Sequence, residues 1–101
     1  MPGLPDVLLF GERCEFSFLE LKAAKSFSRK VDLSPHQCAW LSRHSHGRCF
    51  VIVRDSSLDI RVFHGSDAVD LRMDGADAVE ALATFSEPYD WDGFFALTCP
   101  L

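Results

Sequence analysis

Residues 5–22, PDVLLFGERCEFSFLELK, contain two apolar runs joined by a short polar segment. Residues 5–10 and 14–22 are each long enough for a strand, and a turn over residues 11–13 favours an antiparallel hairpin. The first run is apolar without alternation, which is typical of a central strand covered on both faces. This hairpin constrains the fold most, because it fixes which side chains of the two strands share a face.

Three charged residues occupy defined positions in this hairpin. Glu20 and Lys22 share the strand face that carries Phe16 and Phe18, and a tight turn places Asp6 across from Glu20. Two neighbouring carboxylates are costly unless positive charge separates them, and Mg²⁺ prefers oxygen ligands. Lys22 adds a donor for a water or a phosphate oxygen. The set suits metal-assisted attack of water on a phosphodiester.

The rest of the chain predicts a mixed α/β sheet with helices packed against it. Ser34 and Pro35 mark a helix start, and Gln37 completes a capping box with Ser34. We expect this helix to end near residue 46. The other expected elements are a buried strand at 49–53, a strand at 58–64, an edge strand at 69–73 and a helix at 75–85. The aromatic, acidic tail from residue 86 is expected to pack on the body or on a second copy.

Length and composition favour one domain over residues 1–101 with a modest core. Hydrophobic residues make up 48% of the chain, which argues against disorder. No apolar run reaches the roughly 18 residues of a membrane span, and no secretory signal pattern is present, so we expect a cytoplasmic protein with no membrane partner. The four cysteines form no recognisable disulfide or zinc pattern and are expected to be free thiols.

Charge is unevenly distributed along the chain. The net charge is −5, with −3 in residues 1–20, +6 in residues 21–54 and −8 in residues 55–101. A basic middle segment can create a positive surface on an acidic molecule. Lys25, Arg29 and Lys30 follow the second strand and are predicted to contact DNA phosphates, although a merely solvated loop has the same composition.

Taken in order, these motifs resemble a known enzyme family. PD at 5–6 and ELK at 20–22 look like the signature of the PD-(D/E)XK nuclease superfamily. LPDVLLF, FLELKAA and LSPHQCAWL, followed by GRCFVIVRD, resemble its VRR-NUC branch, the virus-type replication-repair nucleases. The resemblance covers about residues 3–64, and the order and spacing of the motifs are more specific than PD or ELK alone.

The resemblance implies a metal-dependent DNA endonuclease with a restriction-endonuclease-like core of order αβββαβ. Asp6, Glu20 and the backbone carbonyl of Leu21 would ligate Mg²⁺ or Mn²⁺. Lys22 would position or deprotonate the attacking water, and Gln37 would orient Lys22 or that water. Small stand-alone members, often encoded by phages, resemble Holliday-junction resolvases and act as homodimers on branched DNA.

Some features leave other interpretations open. The family core begins with a helix before the PD strand, and only four residues precede Pro5, so this helix is expected to be absent. The helix expected at 75–85, with Glu80, is one candidate replacement. The capping box alone is enough to explain why a glutamine occupies position 37. An inactive nuclease-fold protein that binds DNA or acts as an accessory, and a small α/β interaction module, therefore remain alternatives.

Overall fold

A computed structural model describes residues 5–10 and 16–99 of the chain. Within these residues, five strands and three α-helices form a mixed α/β fold. The strands are β1 (Val7–Phe10), β2 (Phe16–Ala23), β3 (Arg48–Arg54), β4 (Ile60–His64) and β5 (Ala83–Phe85). The helices are α1 (Pro35–Arg43), α2 (Ala68–Asp74) and α3 (Trp91–Thr98), with short 3-10 turns at Gly65–Asp67 and Ala76–Ala78.

The five strands form one sheet in the order β1-β2-β3-β4-β5. β1 pairs antiparallel with β2, and Val7 lies opposite Leu19. β2 and β3 run parallel, with Glu20 opposite Val51, and α1 connects them. β4 pairs antiparallel with both β3 and β5. The predicted hairpin is confirmed in its pairing, while its turn at 11–13 and Cys14 lie outside the described residues.

Each face of the sheet carries its own apolar cluster. On the first face, Val51, Val53 and Phe63 pack with residues of α1, α2 and the segment 24–33. On the second face, Leu19, Ile52 and other apolar side chains pack against Phe94 of α3. β3 is therefore apolar on both faces, as the sequence predicted, because it lies between two paired strands and beneath helices on both sides. The aromatic tail thus packs on the body through Phe94.

The prediction that β1 is a central strand is wrong. β1 lies at the edge of the described sheet. Leu8, which pairs with Phe18 of β2 and lies on the same face, is 54% exposed. An apolar run predicts a strand but not how many neighbours will cover it. Residues 1–4, which precede Pro5, lie outside the described residues.

The region after β4 also differs from expectation. Residues 69–73 belong to α2 instead of an edge strand, because Ala68 and Leu71, three positions apart, are the side chains that reach the core. Residues 75–85 are not a helix: Val79 and Ala81 contact the first-face cluster at a spacing of two, and β5 follows. Glu80 precedes β5 at the sheet edge opposite β1, so the expected replacement helix does not exist.

α1 begins as predicted but ends early. Ser34 caps it, Pro35 opens it, and the helix stops at Arg43 instead of near residue 46. The ring of His44 stacks on Trp40 and its Nδ1 lies 2.7 Å from the Trp40 carbonyl oxygen, which satisfies a carbonyl of the last turn. None of the helices in the described residues has the length and apolar character needed to cross a membrane.

Gly75 provides a test of the packing between α2 and the segment 24–33. Its φ of +89° lies in the left-handed region, and a Cβ there would lie 2.7 Å from the Arg29 carbonyl oxygen. We expect Gly75→Ala to lower the free energy of unfolding by about 2 kcal/mol through backbone strain and overlap. Urea unfolding followed by circular dichroism measures this change.

Gly47→Ala is the matched control, because a Cβ at Gly47 would make only an ordinary 3.5 Å contact with the His44 carbonyl oxygen. Equal stability of the Gly75→Ala protein and the unsubstituted protein would contradict the described approach of the two segments.

Candidate active site

Glu20 is a buried carboxylate in the middle of the candidate site. It lies on β2 opposite Val51 of β3, faces the side of the sheet that carries α1, and is 1% exposed. A strand residue with neighbours on both sides and a helix above it has little access to water. A charged side chain in such a position requires compensating partners.

Two cationic or donor groups converge on one oxygen of this carboxylate. The side-chain amide of Gln37 donates to Glu20 Oε1 over 2.6 Å, and the ammonium of Lys22 lies 3.4 Å from the same oxygen. Lys22 is two residues from Glu20 on β2, so the strand period places both side chains on one face. Gln37 comes from the first turn of α1, whose partial positive charge also favours a nearby carboxylate.

The amide of Gln37 serves the helix and the site at once. Its Oε1 accepts from the backbone N–H of Ser34 over 2.9 Å, while the Ser34 hydroxyl accepts from the backbone N–H of Gln37. The capping box therefore holds the side chain so that its nitrogen faces Glu20. The capping role and the contact with the site occur together, through different atoms of one amide.

Asp6 joins the site from the chain just before β1. The β1–β2 register places it opposite Glu20, and its Oδ2 accepts from the backbone N–H of Leu21 over 3.0 Å. The N–H and C=O of one strand residue point toward the same neighbouring strand, so the Leu21 carbonyl faces this side as well. The side chain of Leu21 points to the opposite face of the sheet, away from Glu20.

The electrostatic balance of the site is unfavourable for a charged Glu20. Burial and then the neighbouring Asp6 charge raise the pKa of Glu20 above its ordinary value of 4.5, while Lys22 opposes the shift. The second carboxylate oxygen, Oε2, is buried without a hydrogen-bond partner among the described residues. An unsatisfied buried carboxylate oxygen calls for a proton or a cation.

A divalent cation fits these residues. Mg²⁺ in phosphoryl-transfer sites takes one or two protein carboxylates and completes its shell with water and substrate oxygens. Asp6 and the free Oε2 of Glu20 supply such a pair. Within residues 5–10 and 16–99, no group of three or more His, Cys, Asp or Glu side chains is arranged to hold a metal. A cation here would therefore depend on those two carboxylates, a carbonyl and non-protein oxygens.

The three basic residues predicted to contact DNA lie along a segment that leaves the site. The Lys25 carbonyl accepts from Ser56 in the β3–β4 turn, and the carbonyl of Arg29 lies beside Gly75 after α2. Lys25, Arg29 and Lys30 are exposed, and no described contact connects them to Glu20. The structure brings together Asp6, Glu20, Lys22 and Gln37, but not these three.

Two features of the site escaped prediction from the sequence. The backbone N–H of Leu21 anchors Asp6, and the Oε2 atom of Glu20 lacks a partner. The hairpin register, which the motif spacing already indicated, could have pointed to the first feature. The second depends on the distance of α1 from the sheet, for which the sequence carries no signal.

Comparisons of the chain with protein-family models, with curated proteins and with solved structures give no match. The interpretation of the site therefore rests on the motifs and on the geometry of these side chains.

Glu20→Gln tests the electrostatic strain at the site. Because the native state raises the pKa of Glu20, it binds the proton more tightly than the unfolded state, and stability falls as pH rises from about 4.5 through the raised pKa. The substitution keeps an oxygen for Gln37 and removes the charge. We expect a higher unfolding free energy at pH 7 and a smaller loss of stability between pH 4 and 7.

Urea unfolding across this pH range gives both quantities. Glu80→Gln, at an exposed carboxylate beside the sheet edge farthest from β1, serves as the control. A Glu20→Gln protein that is less stable at pH 7, with an unchanged pH dependence, would show that the ionised carboxylate is fully compensated.

Proposed function

We propose that this protein is a metal-dependent nuclease of the PD-(D/E)XK type, related to the VRR-NUC branch, which hydrolyses phosphodiester bonds in DNA. One observation carries the proposal: Lys22 and Gln37 both contact Oε1 of the buried Glu20 and leave Oε2 free beside Asp6. The same four residues were expected from the sequence, Asp6, Glu20 and Lys22 from the hairpin and Gln37 from the resemblance to the VRR-NUC motifs. A structural ion pair needs a satisfied carboxylate, whereas this one keeps an oxygen available.

The proposed mechanism assigns a distinct role to each residue. Asp6, Glu20 and the Leu21 carbonyl would hold Mg²⁺ or Mn²⁺. When bound, the cation would neutralise charge on the scissile phosphate and lower the pKa of a water molecule. Lys22, 20% exposed beside Glu20, would hold or deprotonate the attacking water. Attack on phosphorus breaks the P–O3′ bond and leaves a 3′-hydroxyl and a 5′-phosphate.

Gln37 acts as a positioning residue in this scheme. Its amide is fixed by Ser34 on one side and by Glu20 on the other. It therefore restricts the rotamers of Glu20, whose other oxygen would face the cation. Held side chains lose less freedom when substrate binds, which favours reaction.

The proposed substrate is DNA, with branched junctions as the first to test, and the proposed working form is a homodimer. Two copies would place one site on each of two strands of a junction. The exposed side chains of Lys25, Arg29 and Lys30 give segment 24–33 local positive charge, which favours approach of phosphates to an otherwise acidic protein.

A nuclease-fold protein that binds DNA or acts as an accessory without cleavage is the second candidate. The observation that favours it is the small number of ligands: only two carboxylates converge in the described part of the chain. The net charge of −5 disfavours tight nucleic-acid binding, which within this candidate favours an accessory role over DNA binding. Measurements of metal binding and of DNA cleavage distinguish the active nuclease from the protein that does not cleave.

Cleavage is tested on a labelled four-way DNA junction and on linear duplex, with Mg²⁺, Mn²⁺ or EDTA. We expect metal-dependent cuts that fall at least 100-fold in Lys22→Met, because the ammonium acts on the water or the phosphate. Arg72→Ala, an exposed cation on α2, serves as the control and should retain activity. Circular dichroism verifies that both variants fold.

The pattern of cleavage decides between substrates. Symmetric cuts in the junction would support a resolvase-like activity. Cuts in linear DNA only would support the nuclease proposal and exclude a resolvase-like activity. If neither substrate is cut under any condition, while DNA binds without metal, the accessory candidate replaces the enzyme.

Metal binding is tested independently of activity by thermal unfolding. A cation that neutralises the Asp6 and Glu20 pair should stabilise the native state by about 1.4 kcal/mol at ten times its Kd, which is roughly 7 °C in Tm. Asp6→Asn keeps an acceptor for the Leu21 N–H but removes the charge, so its Tm should not respond. Asp92→Asn, which changes an exposed carboxylate on α3, is the control. If the Tm of the unsubstituted protein does not change with Mg²⁺ or Mn²⁺, the proposed metal site is excluded.

A further inference from the structure

A groove of about 510 Å³ lies on the second face of the sheet, between the strands and α3. Its floor is aliphatic and comes from four strands, with Leu9, Leu19, Ile52 and Ile60 among its members. Its wall is aromatic. This volume is typical of pockets that bind small ligands, and it lies on the opposite face from Glu20.

The groove leaves large apolar side chains in contact with water. Leu21 is 48% exposed, Trp91 is 50% exposed and Phe95 is 45% exposed, and all three line it. Phe94, between the last two, is buried and anchors α3 to the sheet. Apolar surface that converges on one concavity gains free energy when a second apolar group covers it.

Of the two cations that line the groove, Arg54 is the one without an ion pair among the described residues, and it marks one end of the groove. Arg54 is exposed. Lys22 also lines the groove, but its ammonium lies 3.4 Å from Glu20. Arg54 pairs in register with Ala23, so the charge lies where β2 ends.

This combination restricts the chemistry of the occupant. Apart from Lys22 and Arg54, the lining side chains offer one hydrogen-bonding group, the indole N–H of Trp91. A nucleobase or a sugar would leave its polar edges unsatisfied there. From Leu19 through Leu21 to Ala23 the floor runs about 13 Å along β2 toward Arg54. An apolar chain with one anionic end matches this layout.

We propose that the groove between the sheet and α3 binds a single-chain amphiphile with an anionic head, such as a long-chain carboxylate, with its chain on the Leu19–Ala23 row and its head at Arg54. The proposal does not depend on nuclease activity. The ligand site and the Glu20 site share β2 but lie on opposite faces of it.

Isothermal titration calorimetry with dodecanoate below its micelle concentration tests the proposal. We expect saturable 1:1 binding that weakens at least fivefold in Arg54→Gln and at least tenfold in Ala23→Glu, since the new carboxylate would compete for Arg54. Ala23 is exposed, so this change leaves the core intact. Arg43→Gln, an exposed cation on α1, is the control and should bind as the unsubstituted protein does.

A second readout locates the ligand. In Trp40→Phe, the one remaining indole is Trp91, and dodecanoate should shift its emission to shorter wavelength with the same Kd. Dodecyltrimethylammonium, which has the same chain and the opposite charge, should bind at least tenfold more weakly.

Several results would overturn the proposal. These are the absence of saturable binding, equal affinity for the cationic amphiphile, or an unchanged Kd in Arg54→Gln. Displacement of dodecanoate by a single-stranded 12-nucleotide DNA would assign the groove to nucleic acid instead. Binding to phosphatidylglycerol vesicles without binding to monomeric dodecanoate would assign it to a membrane surface.

Discussion

The buried carboxylate of Glu20 is the constraint on which the local architecture depends. A charged group that is 1% exposed must be compensated, and its partners come from different parts of the chain. Lys22 is supplied by the same strand and Gln37 by the start of α1, whereas Asp6, from the approach to β1, adds a second negative charge beside Glu20. Displacing Lys22 or Gln37 would leave the Glu20 carboxylate without a partner in the interior. The position of α1 over the sheet therefore depends in part on the need to compensate the Glu20 carboxylate.

The capping box shows how local and long-range interactions reinforce each other. Ser34 and Gln37 would start a helix in almost any context, because they satisfy free backbone N–H groups. In this fold the same amide also reaches Glu20. The start of α1 is therefore fixed both along the chain and against β2. When local capping and a long-range contact favour the same arrangement, the native structure is more stable relative to alternative compact structures.

The sheet separates two kinds of surface. Its first face carries the ionisable groups of the candidate active site and is covered by α1 and α2. Its second face carries an apolar groove beneath α3, with Arg54 at one end. Alternation along β2 produces both, since Glu20 and Lys22 point to one side while Leu19 and Leu21 point to the other. One strand thus supplies two surfaces with different chemistry.

The sequence by itself determined the α/β class, the β1–β2 pairing, the start of α1 and the grouping of Asp6, Glu20 and Lys22, because those features follow from short-range periodicity and capping. The addition of Gln37 to that group came from the resemblance to the VRR-NUC motifs. The sequence did not determine that residues 69–73 are helical, that 83–85 form a strand, or that β1 lies at an edge of the described sheet. Short apolar segments have weak intrinsic preferences, and the surface that they pack against decides their conformation. The free oxygen of Glu20 and the groove at Arg54 likewise exist only in the tertiary structure, because both are spaces between elements distant along the chain.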